Sequence, residues 1–176
     1  MEPGFAPDGL RLAVARAFEP DGPLGRADTG YVPREVQLRM ADAVATAIEQ
    51  REALVAEAGT GVGKTFAYLV PVLLAGKRAL VSTATKSLQD QLFFRDLPRL
   101  RDALKLPATV ALLKGRGSYL CRHRLGQARE GATLPDRFAV RALARIETWA
   151  QATSTGDIGE LEGLDERSEV IPLVTS

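Results

Sequence analysis

Apolar positions along the chain fall into two alternating patterns, a helical period and short unbroken runs. Across residues 33–50, Val36, Met40, Ala43, Val44, Ala47 and Ile48 recur at helical spacing, and Pro33 suits a first turn, so a helix is predicted there. Residues 53–56 form a short apolar run bounded by charge and glycine, the pattern of a strand buried on both faces. Residues 65–74 are apolar over a helical length, with a kink predicted at Pro71 and a stop at Gly76. A second strand is predicted over 78–82. Over 86–104, Leu88, Leu92, Phe93, Leu97, Leu100 and Leu104 return to helical spacing, with Pro98 expected to bend or restart the helix. Residues 109–113 are a third strand candidate. Alternation of strand and helix predicts an α/β fold in which helices cover a parallel sheet. After Gly115 the pattern changes: 119–129 and 136–151 read as helices without intervening strands, and 153–169 as a polar, acidic loop. Residues 1–30, rich in Pro, Gly and Asp with one amphipathic piece over 10–18, read as an N-terminal extension.

Composition narrows the class without naming a chemistry. With 45% hydrophobic and 26% charged residues, the 176-residue chain is a folded domain with room for an appendage. A net charge of +1 conceals an uneven distribution: Arg95, Arg99, Arg101, Lys105, Lys114, Arg116, Arg122, Arg124 and Arg129 crowd the middle, and Asp157, Glu160, Glu162, Asp165, Glu166 and Glu169 the end. On charge alone the basic stretch is equally a solvated helix face. The single cysteine, Cys121, excludes an internal disulfide, which makes a cytoplasmic location the default expectation. The first residues lack the basic start and apolar stretch of a secretory signal. The longest apolar run, 66–75, is about half of the roughly 20 residues a spanning helix needs, so no membrane segment is expected.

The sharpest chemical signal lies between the first predicted strand and its helix: Ala58-Gly59-Thr60-Gly61-Val62-Gly63-Lys64-Thr65. Ala58 replaces the leading glycine of the strict phosphate-loop pattern, and the other requirements are met. Three glycines let the backbone turn tightly and aim successive N–H groups at one anion, and the loop opens onto a helix N-terminus that favours phosphate. Lys64 is placed to reach the β- and γ-phosphates, and the Thr65 hydroxyl to ligate Mg²⁺. A ligand-free glycine turn has no reason to end in Lys-Thr. Hydrolysis needs in addition an acidic residue at the end of another buried strand. Asp165-Glu166 is the available pair, and it follows a polar loop rather than a strand.

Two flanking segments make the proposal specific. Tyr31-Val32-Pro33-Arg34-Glu35-Val36-Gln37-Leu38-Arg39-Met40 resembles the adenine-sensing Q motif of superfamily 2 helicases, and the Gln37 amide suits bidentate pairing with the adenine edge. Downstream, 79–92 is similar to motif Ia of the same enzymes, a strand followed by the hydroxyl-rich turn Ser82-Thr83-Ala84-Thr85-Lys86. Such a turn can bind a phosphate backbone without reading sequence, and it can equally cap a helix. The segment Leu113-Lys114-Gly115-Arg116-Gly117-Ser118-Tyr119-Leu120-Cys121 closely resembles the entry to the iron–sulfur insertion of the DinG/XPD helicase family.

The resemblance implies a P-loop NTPase fold, RecA-like, over 31–115, incomplete within these residues, and the helical start of an iron–sulfur insertion over 116–176. It implies ATP binding by Arg34, Gln37 and Ala58 to Thr65, with Lys64 and Thr65 catalytic and Thr65 on Mg²⁺. It assigns single-stranded or forked DNA to Thr83, Ala84, Thr85, Lys86 and Gln89, with 5′-to-3′ movement, and Cys121 as one of four [4Fe–4S] ligands in the complete protein. The Asp-Glu-Ala-His-type box, the later motifs and the second motor domain are missing from these residues. At most weak nucleotide binding and negligible turnover are therefore expected of residues 1–176 alone. Another P-loop enzyme such as a kinase, or a non-catalytic nucleotide switch, would account for the loop but leave Gln37 and the 114–121 segment without a purpose.

Overall fold

The structure, a computed structural model, describes residues 9–131, 134, 136–165 and 167–175. The chain divides into two compact units, 1–111 and 112–176.

The first unit is built on helices α1 (Gly9–Ala17), α2 (Pro23–Ala27), α3 (Glu35–Gln50), α4 (Lys64–Leu74), α5 (Lys86–Gln91) and α6 (Leu97–Leu104). Helix α3 begins after Arg34, two residues later than Pro33 suggested, and ends at Arg51, whose left-handed φ of 57° lets the Glu52 N–H return to the Ala47 carbonyl. Its buried stripe is Gln37, Ala41 and Ala45, four residues apart. Ala41 and Ala45 face no bulky obstacle to close approach, and α4 meets them with its own buried Ala67, Leu69, Val70 and Pro71. Pro71 lies inside α4 without ending it.

Leu10, Val14, Ala17, Phe18 and Leu24 of the region read as an N-terminal extension are buried in this same core. The Leu10 N–H donates to the Glu49 carboxylate, and Arg11 pairs with Asp42 at 2.8 Å, so α1 is fastened along α3.

The restart expected at Pro98 takes a specific form. Between α5 and α6 the five residues Leu92–Asp96 form a π-turn, in which the Leu97 N–H reaches back to the Leu92 carbonyl. Proline has no N–H to offer the preceding turn, and a locally widened helix is one way to accommodate that loss.

The predicted sheet is where structure and expectation part. Among the described residues no strand forms: 53–56, 78–82 and 109–113 run as chain without helix or ladder. Val55 is 99% exposed, Leu80 93% and Leu113 79%. Their apolar side chains have the composition of strands buried on both faces, but no neighbouring strand supplies the partners. In consequence Val44, Ala47 and Ile48 of α3 line an open groove of about 450 Å³ with Arg51, Glu52, Leu54 and Val72.

The second unit holds α7 (Arg122–Gly131), α8 (Arg137–Ala152) and α9 (Ile171–Val174). Leu125, Ala128, Ala139, Leu143, Ile146, Ala150, Ile158, Val170 and Val174 form its core. Asp136 caps α8 by accepting the Ala139 N–H at 2.8 Å. The acidic loop is tied down rather than loose: Tyr119 bridges to Asp157 and Leu120 to Thr175, and the Lys114 ammonium meets the buried Asp157 carboxylate at 2.8 Å. No helix among the described residues is long and apolar enough to cross a membrane.

Candidate phosphate-binding site

The glycine-rich loop bends where its residues allow. Gly61 and Gly63 have φ of 77° and 80°, the left-handed region open to glycine at little cost, and Gly63 is the N-cap from which α4 starts. No side chain caps that helix start, so its first amides are left to whatever sits in front of them. Gly59, Thr60, Gly61, Gly63 and Lys64 are exposed, while Ala58, Val62 and Thr65 are half-buried. The loop is a turned, largely solvent-facing segment at a helix N-terminus.

Lys64 folds back over the loop. Its Nζ donates to the carbonyls of Ala58 at 2.8 Å and Gly59 at 2.9 Å. Thr65 lies in the first turn of α4. Burial pushes the Tyr68 phenol above its usual range, the Thr65 side chain opposes that shift, and the Asp96 carboxylate adds to it.

Two residues of α3 and its cap reach the loop as well. Buried Gln37 donates from Nε2 to the Gly63 carbonyl at 2.9 Å, and Arg34 donates to the Gly61 carbonyl. Gln37 had been singled out for adenine and Arg34 for ATP binding; the structure places both on the loop backbone. Spacing alone could not reveal these contacts, because they depend on the close approach of α3 and α4.

The remaining candidates are placed apart from the loop contacts described above. Thr85 caps α5, its Oγ1 accepting the Leu88 N–H at 3.2 Å, and Thr83 Oγ1 donates to the Thr85 carbonyl at 3.3 Å. Capping, the bland alternative for Thr85, is realised. Ala84 and Lys86 beside it are exposed, and Gln89 is half-buried.

In the second unit Cys121 is half-buried at the start of α7, its N–H bonded to the Val174 carbonyl at 2.8 Å. No group of three or more His, Cys, Asp or Glu among the described residues could hold a metal ion. A [4Fe–4S] cluster takes about four thiolates, so the donor set of this chain does not fit one. Asp165 lies in a loop, and its neighbour Glu166 falls outside the described residues.

A glycine-rich loop of this geometry serves many NTPases, and the comparisons decide among them. The DEAD/DEAH box helicase family model matches residues 35–130, more than half of the chain. This chain belongs to the DEAD/DEAH box helicase family. The matched stretch of the helicase domain runs from the start of α3 through the phosphate loop and the 83–89 turn into α7, so it includes Gln37, Lys64 and Cys121. Membership implies a P-loop NTPase fold and, for the family, ATP with Mg²⁺ as cofactor. Among curated helicase relatives, the chain is 47% identical over 163 residues to "ATP-dependent DNA helicase YoaA" of Haemophilus influenzae, covering 93% of this chain and 26% of that protein. It is 49% identical over 160 residues to the protein of the same name in Escherichia coli, covering 90% and 25%. To "ATP-dependent helicase DinG" of Mycobacterium tuberculosis it is 42% identical over 164 residues, covering 81% and 25%. The chain thus spans about a quarter of the length of these relatives.

Proposed function

We propose that the whole protein is an ATP-dependent DNA helicase, in which this chain supplies the adenine and triphosphate contacts and part of the DNA track. The observation that carries the reading is the loop of Ala58 to Thr65, turned by two left-handed glycines onto the uncapped start of α4 with Lys64 over its mouth. An incoming triphosphate offers the Lys64 ammonium charged oxygens in place of two neutral carbonyls, an exchange that favours the phosphate because charge-assisted bonds are roughly twice as strong. Lys64 and the loop amides would then stabilise charge on the transferring phosphoryl group. The Thr65 hydroxyl, a hard oxygen donor at the first turn, suits Mg²⁺, which neutralises phosphate charge when bound.

Residues 53–56, 78–82 and 109–113 are read as adjacent strands of a parallel sheet in the whole protein, which would bury Val55, Leu80 and Leu113 and close the groove beside α3. Thr83, Ala84, Thr85, Lys86 and Gln89 are read as contacts to the phosphate backbone of single-stranded or forked DNA, through hydroxyl, amide and ammonium groups that report no base identity. Cys121 can supply one thiolate of the cluster that the DinG/XPD resemblance implies, and the others would have to come from outside these 176 residues. No step of the proposed reaction passes through it.

The test is ATP turnover by the whole protein with and without single-stranded DNA. Stimulation by DNA, lost in Lys64→Ala, is the expected result, together with no steady-state turnover from residues 1–176, since among the described residues no acidic side chain on a buried strand is placed to orient the water. A turnover indifferent to DNA would favour another P-loop enzyme.

A further inference from the structure

Resting on the nucleotide and DNA readings above, we propose that Asp96 is a positioning residue which, through Gln91, ties the DNA turn at the head of α5 to the helix that starts from the phosphate loop. Asp96 is 4% exposed, on a chain that stays helical from 86 to 104. Four residues away on either side along the inward stripe are the buried Leu92 and Leu100. A carboxylate between two leucines costs free energy that a third leucine would not, unless donors hold it. Two donors do: Gln91 Nε2 reaches Oδ2 at 3.0 Å, and Arg95 Nε reaches Oδ1 at 3.1 Å. Helix capping does not account for the residue, because its side chain accepts no cap hydrogen bond at the start of α6. A polar group set against the local apolar pattern marks a position kept for something other than packing.

The widened turn is what brings Gln91 and Asp96 together. Five residues of an α-helix turn through about 500°, which leaves such a pair about 140° apart around the axis. In the π-turn of Leu92–Asp96 the hydrogen bonds span five residues, as in that from the Leu97 N–H to the Leu92 carbonyl, and groups five apart meet. Gln91 ends α5, whose start is capped by Thr85 and whose first turn holds Lys86 and Gln89. On its other side the π-turn packs against α4, and Leu92, Leu100 and Tyr68 share one core. Burial and, against the opposing Thr65 side chain, the Asp96 carboxylate raise the Tyr68 phenol, which puts that carboxylate beside the second turn of α4. Tyr68 is three residues from Thr65, one helical turn from the phosphate loop. A shift of α5 on DNA is thereby passed to α4 through two packed side chains, Gln91 and Asp96.

The experiment measures ATP turnover of the whole protein with and without single-stranded oligothymidylate. Gln91→Ala and Asp96→Ala are each expected to cut the stimulation by DNA about five- to tenfold, the low end of ordinary coupling between sites, with DNA-free turnover and the KM for ATP within about twofold of wild type. Asp96→Asn, which keeps an oxygen for the Gln91 amide, should retain most of the stimulation. Gln91 is half-buried, and its removal leaves Asp96 paired with Arg95, so Gln91→Ala carries the test even where Asp96→Ala opens the core. Melting curves verify that each variant is folded. Folded variants with wild-type stimulation would overturn the proposal, and so would equal losses with and without DNA, which a merely structural role predicts. Wild-type turnover indifferent to DNA would instead sink the helicase reading on which the proposal rests.

Discussion

The Lys114–Asp157 pair shows how much a single contact can hold. The side chains are only 12% and 10% exposed, Asp157 also accepts the Gly159 N–H, and Tyr119 next to the pair bridges to Asp157. Removing one charge strands the other in a poorly solvated place, whereas removing both does not. Lys114→Ala should destabilise the chain by about 3 kcal/mol in urea unfolding, and Lys114→Met combined with Asp157→Leu by far less. Equal losses in the single and double variants would mean that the pair is not what holds the loop. Sequence marked Lys114 as part of the basic stretch and of a family segment but not as half of a pair, because its partner lies far along the chain in a stretch that reads as a polar, acidic loop. The residues of the phosphate loop were recognisable for the opposite reason: their chemistry is local, and glycine angles, helix start and lysine reach are all set within eight neighbouring positions. Gln37 and Arg34 fall between these cases. Their helix was predicted, but their grip on Gly63 and Gly61 follows from alanines at 41, 45 and 67 that let two helices approach closely.

Helices were read well from periodicity since each closes its own hydrogen bonds; α3 lies within the stretch that the apolar pattern marks, and α4, α7 and α8 overlap theirs, running past one end by a residue or two. Strands cannot be satisfied locally. Segments 53–56, 78–82 and 109–113 have strand composition, yet without neighbours to pair with they remain unladdered and largely exposed. The sheet therefore belongs to the proposal about the whole protein. Amide hydrogen exchange checks it: in the whole protein the N–H groups of 53–56 and 78–82 should be protected to the level of the core helices, while in residues 1–176 alone they should exchange at the rate of open chain. Fast exchange of both segments in the whole protein would contradict the parallel sheet. The π-turn at Leu92–Asp96 was foreshadowed only as a disturbance at Pro98, since no residue pattern distinguishes a widened turn from a kink.

For the molecule as a whole, the division into units at 111 and 112 separates the phosphate loop, with α1 to α6, from the 112–176 unit that carries Cys121. Residues 1–30 read as an N-terminal extension because they are rich in Pro, Gly and Asp, yet five of their apolar side chains, from Leu10 to Leu24, are buried in the first core. With about a quarter of the relatives' length in hand, the claim on which everything else depends is that Ala58 to Thr65 cradles a triphosphate with Lys64 as its charged arm. The direct measurement is equilibrium binding of Mg–ATP to the whole protein by titration calorimetry, wild type against Lys64→Ala. The account predicts one site per chain, weakened by about tenfold or more when the ammonium is removed. Undiminished binding in the variant, at the same stoichiometry, would contradict it.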